Sequence, residues 1–205
     1  MLHKLLFAGA LLSCAVSSVA EEGDHKVVNG YFVEWGIYRT PTPFFVKNLF
    51  LNGDASRLTN ISYAFGVVQN GTCGLADPWA DIQRPFTANE SVTGSDDSAA
   101  PTALHGNFNQ LRELKRMYPH LKIAMSLGGG GVAAPFSAAA ATPESRRAFA
   151  ASCISMFIQG NFASGMDPAP AIFDGIDIDW EYPGASDTQN LAELSWCANF
   201  GGNLI

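Results

Sequence analysis

Phe173-Asp174-Gly175-Ile176-Asp177-Ile178-Asp179-Trp180-Glu181-Tyr182-Pro183 places four carboxylates within eight residues of an otherwise apolar, β-branched run. Aspartate is poorly suited to strand interiors, and a buried charge without partners is costly, so the isoleucines and the acids pull in opposite directions. Alternation resolves the conflict. In a strand, residues two apart share a face, so Asp177, Asp179 and Glu181 line one side while Ile176, Ile178 and Trp180 face the other. An apolar face covered by helices and an acidic inner face near the C-terminal end describe a catalytic strand of a (β/α) barrel.

Carboxylates this close cannot all ionise at their free values. Repulsion between Asp177 and Asp179 is expected to raise the pKa of at least one of them and to couple their titration. Glu181, last in the row and nearest the strand mouth, is the natural candidate for a proton donor to a leaving group. A calcium loop fits poorly, since it needs alternating oxygen ligands in a turn-rich segment with a central glycine, and isoleucines stand here instead.

Outward from this stretch, the chain reads as strand then helix, repeated. Strands are expected at about Lys26–Trp35, Ile61–Val68 and Lys122–Leu127, the last stopped by Gly128-Gly129-Gly130-Gly131, with the acidic segment fourth. Phe108, Leu111, Leu114 and Tyr118 recur at helical spacing and stop at Pro119. Thr142 reads as the N-cap of a second helix, with Pro143 at its first position and Phe149, Cys153, Met156 and Phe157 as its apolar stripe. Cys153 on that stripe reads as packing. Gln69–His105 lacks periodicity and is expected to be a long loop on the C-terminal rim, part of a substrate-cleft wall, with Trp79 and Phe86 as candidates to stack on substrate rings or to pack the loop. It holds two glycosylation acceptor patterns, at Asn70 and Asn89. Leu191–Ile205 loses an amphipathic stripe.

Residues 1–20 carry Lys4, an apolar stretch and Ser18-Val19-Ala20, the pattern of a cleaved secretory leader, leaving residues 21–205 as one domain. Attachment of a lipid at Cys14 is the weaker alternative. With no second long apolar run, the mature chain is expected to be exported and not to engage a membrane. The formal charge of −7 becomes one unit more negative when Lys4 is removed, which argues against nucleic acid as a partner. Of four cysteines, Cys73, Cys153 and Cys197 lie beyond the leader, so one internal disulfide at most is expected, and neither they nor the scattered His25, His105 and His120 have metal-ligand spacing.

Asp174-x-x-Asp177-x-Asp179-x-Glu181 resembles the DxxDxDxE signature of glycoside hydrolase family 18, the chitinases and their relatives. Ser126-Leu127-Gly128-Gly129 is similar to the family's SxGG on the preceding strand. Gly30-Tyr31-Phe32 and Tyr63-Ala64-Phe65 resemble the starts of its first two strands. The resemblance covers about Val27–Asn190 and implies an α/β fold, a partial (β/α)8 TIM barrel of about the first four β/α units.

It implies substrate-assisted hydrolysis with retention, in which Glu181 protonates the glycosidic oxygen and the sugar's own N-acetyl group attacks. Asp179 would then support the acetamido group and Asp177 share its proton, with Tyr31 and Ser126 as hydrogen-bond partners and Asp174 as a buttress. Tyr182, Trp35 and Phe65 are the implied substrate-binding side chains, chitin or a chito-oligosaccharide the partner, and no cofactor or metal is implied. An endo-β-N-acetylglucosaminidase acting on N-glycans, or a chitin-binding relative without activity, is the alternative. Four strands where the barrel needs eight read as a truncated or frame-shifted product. Unpaired outer strands and poor turnover are the expected consequences.

Overall fold

The computed structural model describes residues 26–199 apart from 98, 101, 131 and 132. The leader at 1–20, Cys14, His25 and the side chain of Cys197 lie outside the described residues. Five strands form one sheet: β1 (Asn29–Val33), β2 (Asn60–Gln69), β3 (Thr72–Leu75), β4 (Lys122–Gly128) and β5 (Gly175–Asp179). β1, β2, β4 and β5 run parallel in that order, and β3 pairs antiparallel with the C-terminal end of β2.

Register explains how the sheet separates its faces. Phe32, Tyr63, Met125 and Ile176 stand side by side across the four parallel strands, all buried in the main core. Tyr31, Ser62, Ala124 and Gly175 form the neighbouring row, and Val33, Ala64, Ser126 and Asp177 the next inner one. One face therefore carries bulk and the other carries small or polar groups. Apolar residues cannot be left against water, so the bulky face is covered by helices.

Those helices are α1 (Val46–Leu51), α2 (Gly106–Met117), α3 (Ala133–Ala140), α4 (Pro143–Cys153) and α5 (Thr188–Asn199). Phe108, Leu111 and Leu114 form the buried stripe of α2 as their spacing predicts, and Phe108 meets Tyr63 and Phe173 edge to face at ring-centroid distances of 5.2 and 4.9 Å. Thr142 caps α4, its hydroxyl accepting from Ser145 N–H at 3.1 Å, with Pro143 in the first turn.

Several sequence expectations need correction. β1 ends at Val33, and Glu34–Tyr38 turns into a 3-10 helix. The segment expected as an irregular loop begins with the β2–β3 hairpin, whose turn residues Asn70 and Gly71 both have positive φ (51° and 76°), as a two-residue hairpin turn requires. It continues through a π-helical turn at Trp79–Gln83. Phe86 is only 1% exposed and packs edge-on against Phe45 at 5.7 Å, so it holds the segment down and is closed to sugars. Trp79 remains exposed.

Helix α5 persists through Leu191–Asn199 despite its weak stripe, because Leu194 is buried and Arg146 of α4 bonds Asn190 at 3.2 Å. His105, just before α2, is half-buried beside Asp97.

Cys153 is in the core and also bonded to Cys73, joining α4 to β3 across 80 residues of chain. Such a link restricts the unfolded chain more than the folded one. Replacing both cysteines with serine is expected to lower unfolding free energy by about 2–4 kcal/mol in urea titrations.

Candidate active site

The inner row of β5 opens toward the C-terminal ends of the strands. Asp177 and Asp179 lie within β5 and are partly exposed, while Glu181 stands two residues beyond Asp179, past the strand's last residue. Trp180 points the opposite way, buried and stacked on Phe136 of α3 at 5.5 Å. An apolar anchor behind the acids thus fixes the direction in which Asp179 and Glu181 face.

Tyr31 donates to Asp177 Oδ2 at 3.3 Å. In the sheet order, β2 and β4 lie between these two residues. Three interstrand steps on a flat sheet span roughly 14 Å, longer than a tyrosine side chain, so the contact requires the sheet to curl around its inner face. Burial and the Asp177 charge push the Tyr31 phenol up from its ordinary value. Ser126 is the register partner of Asp177, and its fully buried hydroxyl lies beside the Tyr31 phenol.

Asp179 is raised above the usual aspartate value, first by loss of water around it, then by the charge of Glu181, then by that of Asp177. Mutual repulsion of the two aspartates, the cause expected from the sequence, is therefore the smallest of the three. Asp174 sits at the opposite end of the strand. Its Oδ2 accepts from Lys115 at 2.6 Å and from Ile123 N–H at 2.8 Å, while its own N–H reaches the Ile123 carbonyl at 2.7 Å. This one carboxylate fastens α2 and β4 to the entry of β5.

The glycines after β4 serve the same geometry. Gly128 has φ 116°, and a Cβ there would collide with the Asp179 carbonyl; Gly129 N–H donates to that carbonyl at 3.0 Å. Gly130, read from the sequence only as one of the glycines that stop β4, lies beside the acid, and a Cβ on it would make ordinary contact with Glu181 Oε2 at 3.8 Å. Further out, Asp187 accepts from Gly184 N–H and Ser137, both at 3.0 Å, tying down the chain that follows Pro183.

Aromatic rings surround the mouth. Tyr182 is 79% exposed, and Trp35, half exposed, stacks on Phe65 at 6.0 Å. Phe65 lies 6.4 Å from Tyr31. Tyr31, Trp35 and Phe65 therefore form one connected row beside the acids. No group of three or more metal-ligating His, Cys, Asp or Glu occurs among the described residues.

A family model described as glycosyl hydrolases family 18 matches residues 27–195. The chain belongs to glycosyl hydrolase family 18. Chitinase C of Streptomyces lividans is 43% identical over 160 residues, a match covering 78% of this chain and 24% of that protein. This family 18 chain spans about a quarter of the length of the first curated relatives it matches.

Among solved structures, the catalytic domain of psychrophilic chitinase B from Arthrobacter TAD20 superposes with a TM-score of 0.78 at 37% identity, over 84% of this chain and 47% of that one. Ostrinia furnacalis group IV chitinase, solved with allosamidin, gives 0.65 at 28% identity, over 86% and 40%. The described sheet is thus part of a (β/α)8 barrel.

Two outcomes are expected. Gly128→Ala should cost about 2–4 kcal/mol in chemical denaturation, since the new methyl group meets the Asp179 carbonyl in a backbone conformation that alanine avoids. Carbon-detected NMR titration should show the Asp179 pKa falling toward the ordinary value in Glu181→Gln, because a neighbouring negative charge has been removed.

Proposed function

We propose that the chain carries the acid machinery of a secreted chitinase-type glycoside hydrolase that cleaves β-1,4-linked N-acetylglucosamine polymers by substrate-assisted, retaining catalysis. The observation that carries this reading is the inner row of β5. A partly shielded Asp179 of raised pKa stands between Asp177, which accepts from Tyr31, and Glu181 at the mouth, with exposed aromatic rings alongside.

Each position has a chemical task. Glu181 protonates the leaving oxygen, for which a carboxyl beside an open mouth is suited. The acetamido oxygen of the sugar attacks its own anomeric carbon, and Asp179 steadies the positive charge that develops on the acetamido group. Asp177, held by Tyr31, takes up or returns a proton as Asp179 changes charge, and a raised Asp179 pKa makes that sharing easier. Trp35 and Tyr182 offer flat apolar surfaces to sugar rings.

The reported relatives all carry chitinase names, which supports chitin over N-glycans as substrate. Export is supported by the leader pattern at residues 1–20 and by the Cys73–Cys153 disulfide, a bond that persists in oxidising compartments. No helix among the described residues is long and apolar enough to cross a membrane.

The test is fluorophore release from a chitobioside by the chain and by Glu181→Gln. The substitution should lower the rate by about 10²–10⁴-fold, and release that survives it overturns the role given to Glu181. Allosamidin, bound by the Ostrinia furnacalis enzyme, should raise the melting temperature of both proteins, since the substitution spares the pocket.

A further inference from the structure

Behind the aromatic row lies a second group of acids that the proposed chemistry does not use. Glu34, the first residue after β1, is 7% exposed; Asp81, in the π-helical turn, is 1% exposed. Tyr63 of β2 donates to Asp81 Oδ1 at 2.5 Å, and the Glu34 carboxyl accepts from Phe65 N–H. Asn107, near the start of α2 and fully buried, donates to the Tyr63 oxygen at 3.1 Å and to the Glu34 carbonyl at 3.3 Å.

Each carboxyl therefore has one oxygen satisfied and one left over. Glu34 Oε2 and Asp81 Oδ2 have no donor. The two side chains nevertheless stand within hydrogen-bonding reach of each other. Two carboxylates facing each other repel, and burial makes their charges costly; a single proton between them removes both problems.

The surroundings offer no substitute for that proton. Among the described residues, no cation is ion-paired with either group. Asp77, a further acid beside both groups, accepts from Tyr38 at 2.7 Å and from Ala80 N–H at 3.1 Å. Arg84, at the end of the same turn, is turned to Glu90 at 2.6 Å and lies over the Phe45 and Phe86 rings. His105, just before α2, faces Asp97 instead. Tyr38 and Tyr63 are neutral donors.

The pair also occupies a junction. Glu34 is followed directly by Trp35, and the N–H it accepts belongs to Phe65, so its carboxyl binds to the backbone of one rim aromatic and lies next in sequence to the other. Asp81 anchors the turn that covers them, and Gly106 at the head of α2 lies so close to the Asp81 backbone that a Cβ there would collide with it. Loss of the shared proton would drive apart β1, the turn and α2 at the edge of the mouth.

We propose that Glu34 and Asp81 share one proton as a carboxyl–carboxylate pair, and that this pair is a positioning device that holds the Trp35–Phe65 rim in place only while the proton is present. The link to sugar binding rests on the function proposed above. The shared proton itself does not.

Burial is the leading reason that both carboxyls titrate above their ordinary values, Glu34 rising from 4.5 to about 9. A carboxyl with a raised folded pKa favours the fold below its unfolded value, and that contribution is lost as pH rises through the folded value. The window for this chain is therefore pH 4.5 to about 9. Glu34→Gln keeps the shape, accepts from Phe65 N–H and donates an amide hydrogen to Asp81 without needing a proton.

Melting temperatures of the full chain and of Glu34→Gln, measured from pH 5 to 9, should agree near pH 5 and then diverge, the wild type falling about 5–10 °C further. Acrylamide quenching of tryptophan emission should rise over the same window in the wild type, stay flat in Glu34→Gln, and lose its rise in Trp35→Phe. Parallel melting curves overturn the shared proton, and unchanged quenching overturns the hold on the rim.

Should Glu34→Gln fail to fold, unfolding of the wild type at pH 8 should still release about one proton, read from calorimetry in buffers of different ionisation enthalpy. An unfolding that releases no proton overturns the proposal. So does a melting temperature that follows calcium or potassium and reverses with chelator or exchange. None of these measurements uses a sugar, so their failure leaves the glycosidase reading standing, and failure of the chitobioside assay leaves the shared proton standing.

Discussion

Residue 128 has no side chain, and that absence lets the Gly128-Gly129 backbone lie against the carbonyl of Asp179. The remaining site geometry follows from this approach. It closes β4 onto β5 at their C-terminal ends, while Asp174 closes the same two strands at their beginning through Ile123. Between these two fastenings the register is set, so Asp177 falls beside Ser126 and Asp179 beside Gly128. A shift by one residue would turn all the acids into the helix-covered core.

The sheet handles its acids in two opposite ways. On the inner face, Asp177, Asp179 and Glu181 keep partial access to water. On the helix-covered side of the mouth, Glu34 and Asp81 are sealed in, and their geometry demands a proton where the inner row has solvent. Both arrangements meet at the aromatic row. Tyr31 binds Asp177, Phe65 N–H binds Glu34, and Trp35 stacks on Phe65. The rim is therefore supported from both sides by carboxyl groups.

Much of this fold was legible in the chain because strand and helix patterns are local. Alternation at 176–181 placed isoleucine and tryptophan opposite the acids, and the spacing of Phe108, Leu111 and Leu114 located α2. Thr142 and Pro143 marked the start of α4, and glycines after Leu127 marked the end of β4. The Asp177 and Asp179 part of the inward row was legible for the same reason, since two-residue periodicity follows from backbone pleat alone, whereas Glu181 lies past the end of β5. The family signature added the order of the strands and the roles proposed for each acid.

Other features depended on groups distant in sequence. Nothing near Cys153 said that Cys73 would meet it, nor near Phe86 that Phe45 would bury it. Composition alone made residues 69–105 read as loop, although they hold a hairpin and a π-helical turn packed against the barrel wall. The curl of the sheet was decided only when Tyr31 reached Asp177, and the Glu34–Asp81 pair only when β1, the turn at 79–83 and α2 converged. Backbone periodicity is written residue by residue and survives without context. Burial and charge pairing belong to neighbours in space, and the chain acquires those only by folding.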